Sequence, residues 1–230
     1  MNTFEIRIHQ NDQPINSTIH LIPLSGDSTN IEWRCTFSTS TNPIRRIQNY
    51  RQAVALKKDM AAILSHFKSF AEKKENIYGI SFHEVVFRDS LLISTKSITV
   101  SYPTVADIYS LLSALKKYSA AHQAQQTGNP YLNITPLNPF GFQVMTAIPV
   151  DRSIPTNNKF FHQRIPLNRF QVTRVHGGIS TVNLALQQFQ LYIQDYRRTL
   201  MALPFQQLIT DRVAEPDTAR WITDIYIPLF

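Results

Sequence analysis

Few side chains in this sequence stand at spacings that do chemistry. Seven histidines occur, but none stands in a His-x3-His pair or beside the carboxylates that zinc sites use, so no metal is expected. The single cysteine, Cys35, excludes an internal disulfide and every multi-cysteine metal site. Alternating with Trp33, it reads as a small core residue. There is no Gly-x-Ser-x-Gly elbow and no phosphate-cradling glycine loop, and no cofactor is expected. His176-Gly177-Gly178 opens a helical pattern and could offer backbone N–H groups to an anion. A strand-to-helix turn that needs glycine accounts for it equally simply, and we adopt that reading.

What remains is pocket material. Tyr109, Tyr131, Phe142, Phe205, Trp221 and Tyr226 all fall on helix-like or strand-like segments, where each would also serve as core. Gln206 and Leu208 share a face at period two. Trp221 and Tyr226 have opposite parity, so one regular strand cannot turn both to the same face. Glu84, in the strand-like run 80–87, is the best-placed carboxylate.

These groups need elements to hold them. Phe4, Ile6 and Ile8 alternate with Glu5, Arg7 and His9, as in a half-buried strand. A second strand begins at Ile19 and Leu21, a turn follows at Ser25-Gly26-Asp27-Ser28, and alternation resumes over Ile31, Trp33, Cys35 and Phe37. After a polar stretch at 38–42, Asn42-Pro43 reads as an N-cap with proline at the first helical position. Ile47, Tyr50, Val54, Ala61, Leu64, Phe67 and Ala71 then recur at helical spacing. About 30 residues of helix would span roughly 45 Å. That is too long for three strands to cover, so the helix breaks near Arg51 or packs its Val54, Leu64 and Phe67 face on further protein.

The rest of the chain holds an internal repeat. A strand at 90–101 leads to a helix from Thr104 through Tyr118, then strands at 130–134 and 142–150. A strand at 165–175 leads to a helix from Ser180 through Tyr196, then strands at 204–208 and 219–229. Thr104 and Thr181 stand 77 residues apart, Pro130 and Pro204 stand 74 apart, and Pro149 and Pro228 stand 79 apart. The expected class is α+β: a duplicated β-α-β-β domain with an antiparallel sheet and two helices on one face, preceded by a short sheet and a long helix. A cleft between two such units is a natural small-molecule site.

The run from Asp211 to Pro228, with Glu215-Pro216-Asp217 before Trp221-Ile222-Thr223-Asp224-Ile225-Tyr226-Ile227-Pro228, resembles the closing signature of GyrI-like domains. These are also known as the effector-binding domain of AraC- and MerR-type bacterial regulators. Gly177-Gly178 is similar to the family's helix entry, and Pro204-Phe205-Gln206 to its Pro-Tyr/Phe-Glu strand. The resemblance covers about 78–230 and implies the same fold, of the SHS2 type. It also implies that a buried Glu of the family, which pairs with cationic ligands or acts in hydrolysis, is here Gln206. Glutamine keeps hydrogen bonds but carries no charge and cannot act as a base. The family often places an aromatic at Trp221, which is therefore the first choice of the two residues of opposite parity. The first 75 residues more faintly resemble the end of an SRPBCC (START-like, helix-grip) domain. The sequence leaves open whether 1–77 is a truncated helix-grip domain or an extension.

The resemblance implies binding of a small apolar or aromatic molecule by 78–230, in a cleft built with Gln206, Leu208, Trp221, Phe205, Tyr131, Phe142, Tyr109, Tyr226 and Glu84. A hydrolase of a reactive small molecule and a protein-interaction or inhibitor module stay open as alternatives. A net charge of +7 permits an anionic partner without demanding one. Arg45, Arg46, Arg51, Lys57, Lys58, Lys68, Lys73 and Lys74 are spread around several helix faces, with no second helix at helix-turn-helix spacing. No direct nucleic-acid contact is expected. Met1 to Gln10 has no apolar signal core and no run reaches a membrane span, so a cytoplasmic location is expected.

Overall fold

The computed structural model describes residues 2–10, 13–25, 28–37, 40–87, 91–163, 165 and 169–228. The turn residues 26–27, loop residues 38–39, and the expected strand positions Ser90, 166–168 and Leu229 lie outside them. The chain divides into two compact units, 1–73 and 74–230.

In the first unit, β1 (Asn2–Gln10), β2 (Gln13–Pro23) and β3 (Thr29–Cys35) form an antiparallel meander in that order. Helix α1 runs unbroken from Pro43 to Ala71, and the Asn42 side chain accepts the N–H groups of Ile44 and Arg45. Leu56 and Met60, one turn apart, are its buried residues. Cys35 Sγ lies 3.5 Å from Met60 Sδ. Of the Val54, Leu64 and Phe67 face read from the sequence, Leu64 is half-buried, whereas Val54 and Phe67 are each 51% exposed. The apolar residues of α1 wind onto more than one face, so one buried stripe cannot take them all.

The second unit is an eight-stranded antiparallel sheet. Its strands are β4 (His83–Val86), β5 (Leu92–Thr99), β6 (Tyr131–Pro136), β7 (Phe142–Pro149), β8 (Phe161–Gln163), β9 (Arg169–His176), β10 (Phe205–Leu208) and β11 (Ile222–Ile227). A short helix α2 (Lys74–Tyr78) precedes them, with α3 (Val105–Ala121) and α4 (Ile179–Asp195) between strands. The strand order is β4-β9-β11-β10-β6-β7-β5-β8. The inner six read β9-β11-β10 and then, reversed, β6-β7-β5. The unit β5-α3-β6-β7 is thus mirrored by β9-α4-β10-β11 about the β10–β6 pair.

Leu132, Gln206 and Ile225 stand side by side across β6, β10 and β11. Ile108, Leu112 and Leu115 of α3 cover Ile93, Leu132, Val144, Ile148 and Leu208. Val182, Ala185, Phe189 and Tyr192 of α4 cover Val175, Ile225 and Ile227. Both helices therefore lie on one face. Each buried Leu, Ile or Phe is worth roughly 1.5–3 kcal/mol over exposure.

The two helices begin 74 residues apart, the spacing of Pro130 and Pro204. Thr181 lies inside α4, so the 77-residue spacing does not join equivalent positions. Thr104 caps α3 in a capping box: its hydroxyl accepts the Asp107 N–H at 3.2 Å, and the Asp107 carboxylate accepts the Thr104 N–H at 2.9 Å. Gly178 opens α4 with no side-chain cap. Gly177 makes the turn before it at φ +124°, donating its N–H to the Trp221 carbonyl at 2.8 Å. A Cβ there would come within 2.6 Å of Thr181 Oγ1, so glycine is required by backbone angle and by space. Thr104→Ala should cost about 1 kcal/mol, read as a fall in the urea midpoint; an unchanged midpoint would show that the capping box does not hold this helix start.

Candidate functional site

The sheet face away from the helices carries its own apolar layer. Leu92, Tyr131, Ala147, Phe170, Val172 and Tyr226 are buried there, with Val85, Phe87, Ile165 and Phe205 packed on them. Strand alternation decides which residues belong. Phe205 pairs with Tyr226 and Gln207 with Tyr131, so these four point one way. Gln206 and Leu208 point the other way.

Into this layer sinks a cavity of about 230 Å³, lined in part by Leu92, Tyr131, Met145, Ala147, Phe170 and Phe205. Among the described residues no side chain that is charged at neutral pH lines it. Its polar lining includes Gln163 and Asn133; the Asn133 Nδ2 donates to the Pro204 carbonyl at 2.8 Å and its Oδ1 accepts from the Thr135 hydroxyl at 2.9 Å. A second hollow, of about 500 Å³, shares Tyr131 and is lined also by Glu84, Val85, Val86, Phe87, Gln207 and Tyr226. Gln207 ties its wall together. The Tyr226 hydroxyl donates to Gln207 Oε1 at 3.0 Å, and Gln207 Nε2 donates to the Tyr131 hydroxyl at 3.0 Å. Phe205 and Tyr226 stack with centroids 5.0 Å apart and planes 6° off parallel.

Of the residues read from the sequence, Tyr131, Phe205 and Tyr226 come together on this face. Glu84 sits at the rim of the second hollow, its side chain 52% exposed and paired to Arg169 at 3.3 Å. The other five lie elsewhere, which corrects their placement in the cleft. Leu208 is core beneath α3. Tyr109, on α3, receives the Arg212 backbone N–H on its hydroxyl. Phe142 meets Tyr102 edge-on at 5.4 Å. Gln206, 6% exposed, lines a tight hollow on the helix side with Tyr102, Ile108, Ile134, Ile179, Val182 and Arg212.

Trp221 is buried against Arg212, whose guanidinium lies 4.9 Å from the indole centroid. Arg212 is 5% exposed, donates to Thr223 Oγ1 at 3.0 Å and stands in no ion pair among the described residues. Burial pushes its guanidinium pKa down, and pushes the Tyr102 and Tyr109 hydroxyls up. The aromatic of opposite parity on the cavity face is thus Tyr226, not Trp221. Phe87, Ala147, Phe170 and Gln207 were not singled out from the sequence. The period-two pairs Val85–Phe87 and Phe170–Val172, with Val85 opposite Phe170, are the signal that could have found two of them.

Among the described residues no group of three or more His, Cys, Asp or Glu side chains could hold a metal ion. Within the same limits, no helix is long and apolar enough to cross a membrane.

The α+β architecture and its paired half-units are those of the GyrI-like fold. No family model fits the sequence, and no curated protein matches it. Solved structures do. The cryo-EM structure of the EcmrR–DNA complex in EcmrR-RPo shares the fold at TM-score 0.57 and 17% identity, covering 80% of this chain and 70% of that one. The crystal structure of the EcmrR C-terminal domain matches at TM-score 0.56 and 15% identity, covering 66% of this chain and 98% of that one. At these identities the likeness is one of fold.

Proposed function

We propose that residues 74–230 bind a small, neutral, apolar or aromatic molecule on the sheet face opposite the helices. The observation that carries this is the 230 Å³ cavity walled by Tyr131, Phe170, Phe205, Met145 and Ala147, with no charge on its lining among the described residues. Concave apolar sites with a few convergent polar groups are the usual form of small-molecule pockets. The fold shared with the EcmrR C-terminal domain supports a sensor-like reading, since the GyrI-like resemblance implies effector binding. A hydrolase reading needs a carboxylate held in the cleft, and Glu84 is half exposed and ion-paired at a rim.

The neutral probe N-phenyl-1-naphthylamine should bind the full chain with a rise in fluorescence. Ala147→Phe, which fills the cavity floor, should weaken it about tenfold or more, whereas Gln206→Ala on the helix side should leave it unchanged. Equal binding by wild type and Ala147→Phe, with both folded by circular dichroism, would overturn the proposal.

A further inference from the structure

The helix side of the sheet holds a buried cation with no counter-charge among the described residues. Arg212, in the loop after β10, and Gln206, on β10, are both more than nine-tenths buried and line one hollow. A guanidinium carries five N–H groups. That of Arg212 gives one to Thr223 Oγ1 at 3.0 Å and makes no other hydrogen bond among the described residues. The Trp221 ring, 4.9 Å away, answers part of the charge but offers no oxygen to the remaining N–H groups. No carboxylate acts on the guanidinium from further off; the groups that do are the Tyr102 and Tyr109 hydroxyls, which burial keeps protonated. The Gln206 amide makes no hydrogen bond among the described residues. The Tyr102 hydroxyl, in the same hollow, has a long 3.5 Å contact to Asn183 Oδ1. Ile179, also in its wall, is the first residue of α4, a helix start with no side-chain cap.

Burying a charge is costly unless an opposite charge and hydrogen bonds replace its water. Buried polar groups are almost always bonded, and a bound ion or water is one account of those that are not. Here a guanidinium, a primary amide and a phenolic hydroxyl converge, and all three can donate. A water molecule would meet the donors and leave the charge. We propose that this hollow is a binding site for one small monovalent anion of halide size, held by the Arg212 guanidinium, the Gln206 amide and the Tyr102 hydroxyl. The fit sets the class. Ile108, Ile134 and Val182 close the hollow tightly, which favours a single-atom ion over sulfate, phosphate or an organic acid. The Gln206 amide, bound to nothing else among the described residues, can turn to admit it. The walls come from α3 (Ile108), α4 (Ile179 and Val182) and β10 (Gln206). The ion therefore fastens both helices to the middle of the sheet. The site is separate from the apolar cavity, which sinks into the other face of the sheet.

The test uses the full chain with Trp33→Phe, which leaves Trp221 as its one tryptophan. Sodium bromide replaces sodium gluconate at constant ionic strength while Trp221 fluorescence is read. Bromide quenches an indole by contact, and gluconate is too large to enter. Quenching should saturate with a half-effect at about 10 mM, and chloride, which does not quench, should reverse it. Exchanging gluconate for about 300 mM chloride should raise the thermal midpoint of the Trp221 signal by about 4–8 °C, as for an ion that binds only the folded chain. Arg212→Met should abolish both the saturable quenching and the chloride shift. Gln206→Glu places a carboxylate beside the guanidinium. It should abolish both as well, with its midpoint in gluconate raised to about that of the parent in chloride, and this arm serves if Arg212→Met does not fold. Quenching that grows in proportion to bromide and ignores chloride would be collision alone and overturn the proposal. A saturable response that survives Gln206→Glu or Arg212→Met would put the ion elsewhere and overturn it too. So would a Gln206→Glu chain less stable in gluconate than its parent, since the guanidinium would then need no counter-charge.

Discussion

Gln207→Glu should turn the pocket toward cations, raising the ratio of cation to neutral-ring affinity about ten- to hundredfold, or roughly 1.4–2.7 kcal/mol. In the wild type a cation entering the 230 Å³ cavity loses its water and gains no counter-charge from the described lining, so the neutral ring should win. A carboxylate at 207 would stand between the Tyr131 and Tyr226 hydroxyls, which hydrogen-bond the Gln207 amide at 3.0 Å each and can both donate to it. It would keep its charge in a poorly solvated site, where an ion pair is screened less than at the surface. Gln206→Glu should not do this. That carboxylate would enter the hollow shared with Arg212, beneath the helices. The measurement is a titration with a matched cationic and neutral pair of aromatic probes against wild type and both variants. A shift in Gln206→Glu and none in Gln207→Glu would put the binding face on the helix side. A wild type that already prefers the cation would mean that a carboxylate such as Glu84 supplies the charge.

The largest expected loss of stability is in the α4 layer. Phe189→Ala should destabilise the chain by about 3–5 kcal/mol, the transfer of a ring plus the cavity left behind. Phe189 is 1% exposed and touches the Phe82 ring at 4.5 Å and the Tyr192 ring at 6.4 Å. Leu184 is on the same helix but 54% exposed, so Leu184→Ala should stay within about 0.5 kcal/mol. Urea unfolding of the two variants checks the contrast. A Phe189→Ala loss under about 1 kcal/mol would mean that the α4 layer is not the close-packed core that its burial describes.

The fold was far more legible than the site. Hydrophobic period separates helix from strand, and the order of turns and caps at 102–134 and 177–208 announced the duplication. The site depended on strand parity, and there the sequence is silent. In Phe205-Gln206-Gln207-Leu208 each face receives one apolar and one polar residue. No pattern says which glutamine meets the helices; only the register with Leu132 and Ile225 decides it. Trp221 misleads in another way: a large aromatic beside a strand suits a pocket, but here a buried Arg212 claims its ring. Phe87 gains its partners from four strands scattered along the chain, which no local spacing can show. The SRPBCC-like resemblance rested on three strands and a helix, a pattern too common to identify a family.

The β6–β10 pairing has a consequence for how the two halves depend on each other. Only two residue pairs, Gln206 with Leu132 and Gln207 with Tyr131, make up that ladder. Across the same line run the Leu208 N–H to the Pro130 carbonyl, the Asn133 amide to the Pro204 carbonyl, and the Gln207 amide to the Tyr131 hydroxyl. The backbone seam is short, and side chains stitch it. Tyr131 and Ala147 belong to one half and Phe170 and Phe205 to the other, so neither half encloses the cavity alone. A molecule lodged there touches both sides of the join and acts as a rivet through it, so its arrival should be felt as stiffness along the whole sheet rather than only at the pocket.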